Sequence, residues 1–209
     1  MSIFESMLSE RGYSKIAGVD EAGRGPLAGP LVVAACILPK SFFLSELNDS
    51  KQLTKEQRKL QFDILTNNPD IAYSYIVVDE KTIDRLNILQ ATMYGMLKAV
   101  ETLKVSPDYV LIDGNKMPDI KSRGEAIVSG DENSISIAAA SIIAKVVRDQ
   151  IMDEMQTKYP KYAFGDHKGY ATKQHLDEIE KHGPCQIHRR SFEPIKSMSL
   201  PSQLTFPIK

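Results

Sequence analysis

The sequence predicts an α/β protein built on a mixed five-stranded sheet flanked by helices, and three observations lead there. Short β-branched or apolar runs bounded by Gly and Pro fill the first part of the chain. Two longer stretches carry apolar residues three or four apart, the period of an amphipathic helix. Strands come first and helices later, without the βαβα alternation of a doubly wound sheet. With 209 residues, 42% hydrophobic and 25% charged, the chain can bury one sizeable core without disulfide or metal staples.

Regular structure is expected from about Ile16 onward. Ile16-Ala17-Gly18-Val19 reads as a buried strand that delivers Asp20 and Glu21 at its end. The turn-rich Gly23-Arg24-Gly25-Pro26-Leu27-Ala28-Gly29-Pro30 leads to a second strand, Leu31 to Leu38, stopped by Pro39. Lys55 to Leu65 is polar with apolar Leu60, Ile64 and Leu65, a helix capped by Thr54. Tyr73 to Val78 is a third strand. Ile83, Leu86, Leu89, Met93, Leu97 and Val100 predict one long helix from Glu80 to Leu103. Tyr109 to Ile112 is a fourth strand ending on Asp113-Gly114, and Ala126-Ile127-Val128 a fifth running into Gly130-Asp131. Ser134 to Lys158 is the second long helix, and its Ala138-Ala139-Ala140-Ser141 stretch allows close approach of a neighbour. Thr172 to Lys181 is a further helix. After Phe192 the chain turns polar and carries Pro194, Pro201 and Pro207, which reads as a loose tail. The expected division is a catalytic core over 1–160, a basic helical region contacting substrate over 161–195, and a flexible tail over 196–209.

The balance of 26 Lys and Arg against 27 Asp and Glu excludes a bulk basic protein, so any nucleic-acid surface must be local. Cys36 and Cys185 do not make a disulfide framework. The first residues lack the basic region and apolar core of a secretory signal, and no apolar run approaches the ~20 residues of a membrane helix. A cytoplasmic protein is expected.

Carboxylates stand at the ends of three separate apolar strands: Asp20-Glu21, Asp113 and Asp131. If these strands are neighbours, the acids converge. Two carboxylates about 4 Å apart repel by roughly 4 kcal/mol at an effective dielectric of ~20, so the cluster calls for cations. Oxygen-only ligation selects Mg²⁺ or Mn²⁺ over zinc, and acids sharing two such ions suit in-line displacement at phosphorus. Taken singly, Asp113-Gly114 is an ordinary turn and Asp131 an ordinary helix-start residue; jointly with Asp20-Glu21 the catalytic reading prevails. Successive strand side chains point to opposite faces, so Asp20 and Glu21 can share a site only if the strand ends or bulges there. Gly23-Arg24-Gly25 lacks the spacing of a dinucleotide fingerprint. It is better read as a loop whose backbone lies against a sugar–phosphate chain, with Arg24 adding charge. His182, Cys185 and His188 stand three apart, but with no second cysteine nearby and Pro184 between them they make a poor zinc site. Lys181, Arg189, Arg190 and Lys196 against the single acid Glu193, preceded by His167-Lys168-Gly169-Tyr170, read as a phosphate-tracking face.

These residues form recognisable blocks. Gly18 through Pro30 resembles the opening signature of the ribonuclease HII family. The likeness continues through Asn48-Asp49-Ser50-Lys51, Leu111 to Asn115, Gly130-Asp131, Ser136 to Asp149, His167 to Thr172 and His188 to Phe192. Ala171 and Cys185 depart from the commoner Gly and Ser or Thr. The resemblance implies an RNase H-like fold and endonucleolytic cleavage of RNA in RNA/DNA hybrids. It also implies incision 5′ of single ribonucleotides in duplex DNA, leaving 3′-hydroxyl and 5′-phosphate ends. It implies Asp20, Glu21, Asp113 and Asp131 as catalytic ligands of two Mn²⁺ or Mg²⁺ ions, with Asp20 bridging. Gly23, Arg24, Gly25 and the 2′-hydroxyl-sensing Tyr170 become substrate contacts, and Lys51 and Arg190 further phosphate contacts. A monomer is expected.

Two alternatives remain at this stage. Ribonuclease HIII relatives carry an N-terminal substrate-binding domain, whereas about fifteen residues precede the first strand here. A Mg²⁺-dependent small-molecule phosphohydrolase would also use strand-end acids, but has no use for the basic, aromatic-bearing C-terminal third. Ser202-Gln203-Leu204-Thr205-Phe206-Pro207 resembles the short tails that hold a bacterial sliding clamp. One residue of that pattern is missing between Leu204 and Phe206, which favours a free tail.

Overall fold

The structure is a computed structural model that describes residues 3–40, 42 and 53–198. Five strands form one sheet in the order β3-β2-β1-β4-β5: β1 (Ile16–Ala22), β2 (Leu31–Ile37), β3 (Ala72–Val78), β4 (Tyr109–Asp113) and β5 (Arg123–Ile127). The β1–β2 and β2–β3 pairs are antiparallel, and the β1–β4 and β4–β5 pairs parallel, so the sheet is mixed as expected. Every residue of β2 is buried, because helices cover both faces, and the strand therefore reads as a continuous apolar run without alternation.

One face lies under α6 (Ile135–Lys158), capped by the Ser134 side chain accepting from the Ile137 N–H. Its alanines pack with Ile142, Ile143 and Val146 on Val32, Ala34 and Cys36. At Gly18 the approach is so close that a Cβ would overlap the Ser136–Ile137 backbone. The opposite face carries Val19, Val33, Ala35, Val110 and Ile112 against α3 (Glu80–Leu86) and α4 (Ile88–Thr102).

The single helix expected over Glu80 to Leu103 is therefore two. Asn87, at φ 66°, breaks it and then caps α4 by accepting from the Gln90 N–H. The apolar period runs unbroken through this point, so periodicity cannot see a break that an Asn makes with its backbone and side chain. A helix also precedes β1. In α1 (Ile3–Glu10), Leu8 is buried beside Leu111, Ile127 and Ile137, correcting the expected start at Ile16. About two turns offer too little period to register in sequence. Helix α2 (Lys55–Asn67) begins with a full capping box between Thr54 and Gln57.

The C-terminal part comprises α7 (Phe164–His167), α8 (Lys173–His182) and α9 (Ile195–Met198). Tyr162, Phe164, Ile179, Ile187 and Ile195 gather on Leu27 and Ala28, so this region packs directly on the loop after β1. The loose tail expected after Phe192 does not begin there: Ile195 is fully buried and the chain is helical to Met198. One apolar residue at a packed position outweighs a polar neighbourhood. Among the described residues no helix is long and apolar enough to cross a membrane.

Candidate active site

The four predicted acids line one cavity of about 370 Å³ at the carboxyl ends of β1 and β4. No bulge is needed to bring Asp20 and Glu21 together. Pairing of β1 with β2 is regular through Ala22, but pairing with β4 stops at Val19 and Ile112. Beyond Val19 one side of β1 is open, and residues on both faces of the strand reach the opening. Asp113 ends β4. Asp131 is not at a strand end: β5 stops at Ile127, Val128 is exposed, and Asp131 sits on a one-turn helix, α5 (Gly130–Asn133). The Gly130 N–H donates to Asp113 Oδ1 at 2.7 Å, which locks that turn to β4.

Burial, then the charges of Glu21 and Asp113, push the Asp20 carboxyl well above its ordinary range. The Ser141 hydroxyl and the Glu21 N–H, the latter at 2.7 Å from Asp20 Oδ1, pull the other way. Glu21 is raised by burial despite Arg24, whose Nη1 donates to its Oε1 at 3.3 Å. Glu21 Oε2 is buried with no hydrogen-bond partner. An all-oxygen donor set with an unsatisfied buried carboxylate oxygen fits a hard divalent cation. The acids are not drawn into a closed cage: among the described residues no three His, Cys, Asp or Glu side chains are grouped to hold an ion.

Gly23, Arg24, Gly25 and Tyr170 border the same cavity. Gly23 has φ +98°, and a side chain there would strike the Arg148 guanidinium. Tyr170 is 42% exposed, not a core aromatic, with the Arg148 guanidinium carbon 5.6 Å from its ring centroid. Its carbonyl accepts from His175 Nδ1 at 2.8 Å. That bond sets a chain of tautomers: His175 Nε2 must accept, so His188 Nε2 donates across 3.1 Å, and His188 Nδ1 accepts the Cys185 N–H at 2.9 Å. His167 Nδ1 accepts the Gly169 N–H and its Nε2 faces Glu178 at 3.1 Å. His167, His175 and His188 are internal struts of the Tyr170 segment. His182 is exposed and lies against Tyr162, apart from the Cys185–His188 pair.

Three residues the sequence reading passed over also border the cavity: Arg58, Ser141 and Lys145. Ser141, Lys145 and Arg148 are spaced four and three apart along α6, so helical periodicity could have shown them on one face. Lys51 lies outside the described residues. Arg190 is exposed and not among the residues lining the cavity; its N–H is held by Asp84 at 2.8 Å. Arg189, read as part of a basic surface, is fully buried. Burial and the neighbouring Arg148 charge lower its pKa to about 9, still cationic at neutral pH.

A mixed five-stranded sheet with a carboxylate-lined cleft where β1 and β4 part defines a protein of the ribonuclease H class. The sequence profile of the Ribonuclease HII family matches residues 17–195, and the chain belongs to that family. Ribonuclease HII of Acetivibrio thermocellus is 54% identical over 192 residues, 92% of this chain and 75% of that protein. The crystal structure of ribonuclease H2 from Pyrococcus horikoshii superimposes with TM-score 0.73 at 29% identity, covering 88% of this chain and 96% of that one. The Archaeoglobus fulgidus RNase HII, solved in a complex with PCNA, has TM-score 0.69 at 26% identity, covering 84% and 93%. The chain is accordingly a metal-dependent endoribonuclease acting on RNA/DNA hybrids.

Proposed function

We propose that Asp20, Glu21, Asp113 and Asp131 hold two divalent cations, Mg²⁺ or Mn²⁺, and that the chain incises duplex DNA 5′ of a single ribonucleotide. The observation that carries this is the lining of one cavity by all four acids, the Gly23–Gly25 loop and Tyr170. Bound there, the cations would supply Lewis-acid stabilisation of charge on the attacking and leaving oxygens. Asp20, whose carboxyl feels the charges of both Glu21 and Asp113, would be the ligand shared by both cations. Gly23, Arg24 and Gly25 bring backbone and one cationic side chain against the strand. Tyr170, ring exposed beside a guanidinium, is suited to stack on the sugar whose 2′-hydroxyl marks the ribonucleotide. Lys51 and Arg190 serve as further phosphate contacts. The division of labour assigns the acids to residues 1–160 and duplex contact to 161–195, in a monomer acting in the cytoplasm.

The test is a labelled DNA duplex with one ribonucleotide, incubated with Mg²⁺ or Mn²⁺. A single cut on its 5′ side, leaving 3′-hydroxyl and 5′-phosphate ends, is expected; an equal cut in the all-DNA duplex, or none in either, overturns the reading. The finer partner reading is a clamp contact through Ser202–Pro207, outside the described residues. It is supported by the PCNA complex of the Archaeoglobus fulgidus relative. A peptide over Leu200–Lys209 titrated with the host's sliding clamp tests it. Absence of saturable binding below roughly millimolar, about −4 kcal/mol, leaves the free tail.

A further inference from the structure

The loop after β1 turns its carbonyls into the protein. Arg189 takes two at the cavity end: Nη2 donates to the Gly23 carbonyl at 2.6 Å and Nη1 to that of Arg24 at 2.9 Å. Its Nε and Nη2 each donate to the Gly29 carbonyl at 3.0 Å, and its main-chain N–H to that of Leu27 at 2.8 Å. Arg148 takes Pro30 through Nε at 3.0 Å and Ala28 through Nη2 at 3.3 Å. In a trans peptide the C=O and N–H of one unit point in opposite directions. With the Gly23 carbonyl held inward, the Arg24 N–H turns outward; with the Arg24 carbonyl held inward, so does the Gly25 N–H. Both residues are exposed and border the acid-lined cavity. Among the described residues no main-chain acceptor takes either N–H.

Charge points the same way. Arg148 and Arg189 are fully buried, and the acceptors that hold them are main-chain carbonyls, not carboxylates. Two guanidinium charges therefore lie directly beneath the loop, offset in part by Asp84 and Glu80 near Arg189 and by Asp149 near Arg148.

We propose that Arg189 is a positioning residue for substrate: it aims the Arg24 and Gly25 N–H groups, backed by buried positive charge, at a sugar–phosphate oxygen of the bound strand. This rests on the proposed contact between the Gly23–Gly25 loop and the duplex. Lysine keeps the charge at position 189 but not the planar fork that spans Gly23, Arg24 and Gly29.

With 12 glycines in the chain, [¹⁵N]glycine labelling gives a spectrum in which the Gly25 amide can be assigned through Gly25→Ala. The protein is titrated in EDTA, which blocks hydrolysis, with the ribonucleotide-containing duplex. In the unmodified protein the Gly25 amide signal is expected to move and saturate. In Arg189→Lys, with the other glycine signals in place, it stays still, and kcat for incision falls on the order of 100-fold with a smaller change in KM. An equal Gly25 shift and unchanged incision in Arg189→Lys overturn the inference. A still Gly25 signal in the unmodified protein instead overturns the loop–duplex contact on which it rests. If Arg189→Lys does not fold, Phe192→Leu removes the ring 5.0 Å from the Arg189 guanidinium and leaves its donors. A smaller Gly25 shift and slower incision are expected there, and both unchanged overturn the inference.

Discussion

Lowering the pH from 7 to 5.5 should remove stability held by two histidines behind Tyr170. His175 is 0% and His188 1% exposed, and their Nε2 atoms share one hydrogen bond at 3.1 Å. A second proton on either ring sets N–H against N–H in an apolar setting beside Phe164. Burial, with the like charge of its neighbours, lowers both to about 4 from an ordinary 6.5. A depressed folded-state value means stability that is present above pH 6.5 and is lost as the pH falls towards 4. Linkage gives a loss of about 1.2 kcal/mol per ring between pH 7 and 5.5, or roughly 2.5 kcal/mol for both. Urea midpoints at pH 7, 6 and 5.5, with NMR titration of the four histidines, measure it. His175 and His188 titrating near 6.5 in the folded protein would refute the reasoning; the raised Asp20 and Glu21 carboxyls act in the opposite direction on the urea midpoint.

Asp113→Asn keeps an oxygen to accept the Gly130 N–H while removing a charge. Cleavage should fall at least ~10²-fold while duplex binding by gel shift persists, and near-normal turnover at saturating Mg²⁺ would take Asp113 out of the site. Tyr170→Ala removes a ring that is 42% exposed, so stability should change by about 1 kcal/mol or less while incision at a ribonucleotide drops far more. An unfolded variant would return Tyr170 to a structural role. Glu5→Ala removes the acceptor of the Ser134 hydroxyl at 2.5 Å and the Ser136 N–H at 3.0 Å. Denaturation should show a loss of about 1–2 kcal/mol, and no loss would mean that α1 does not help cap α6.

The strands, their order of appearance and the four acids were legible in the sequence because each is a local signal. A β-branched run between turns declares a strand, and a carboxylate abutting apolar residues declares itself as something other than solvated surface. Thr54 marked a helix start for the same reason, since a cap acts within one turn; Ser134 and Thr172, where two other helices were expected to begin, prove to be caps as well. The Gly23–Pro30 loop and Tyr170 were singled out by composition and by likeness to a family.

Tertiary structure alone decided how the signals combine. Asp20 and Glu21 share a cavity because β4 leaves β1 after Val19, a pairing between segments some ninety residues apart. Arg189 belongs to the interior because the carbonyls of a loop 160 positions earlier surround it, and no local pattern separates it from the exposed Arg190. His175 and His188 serve as struts because they meet across two segments and fix each other's protons. A residue's type and its neighbours in sequence set which local element it joins; burial, hydrogen-bond partners and the charge it keeps depend on segments remote in sequence.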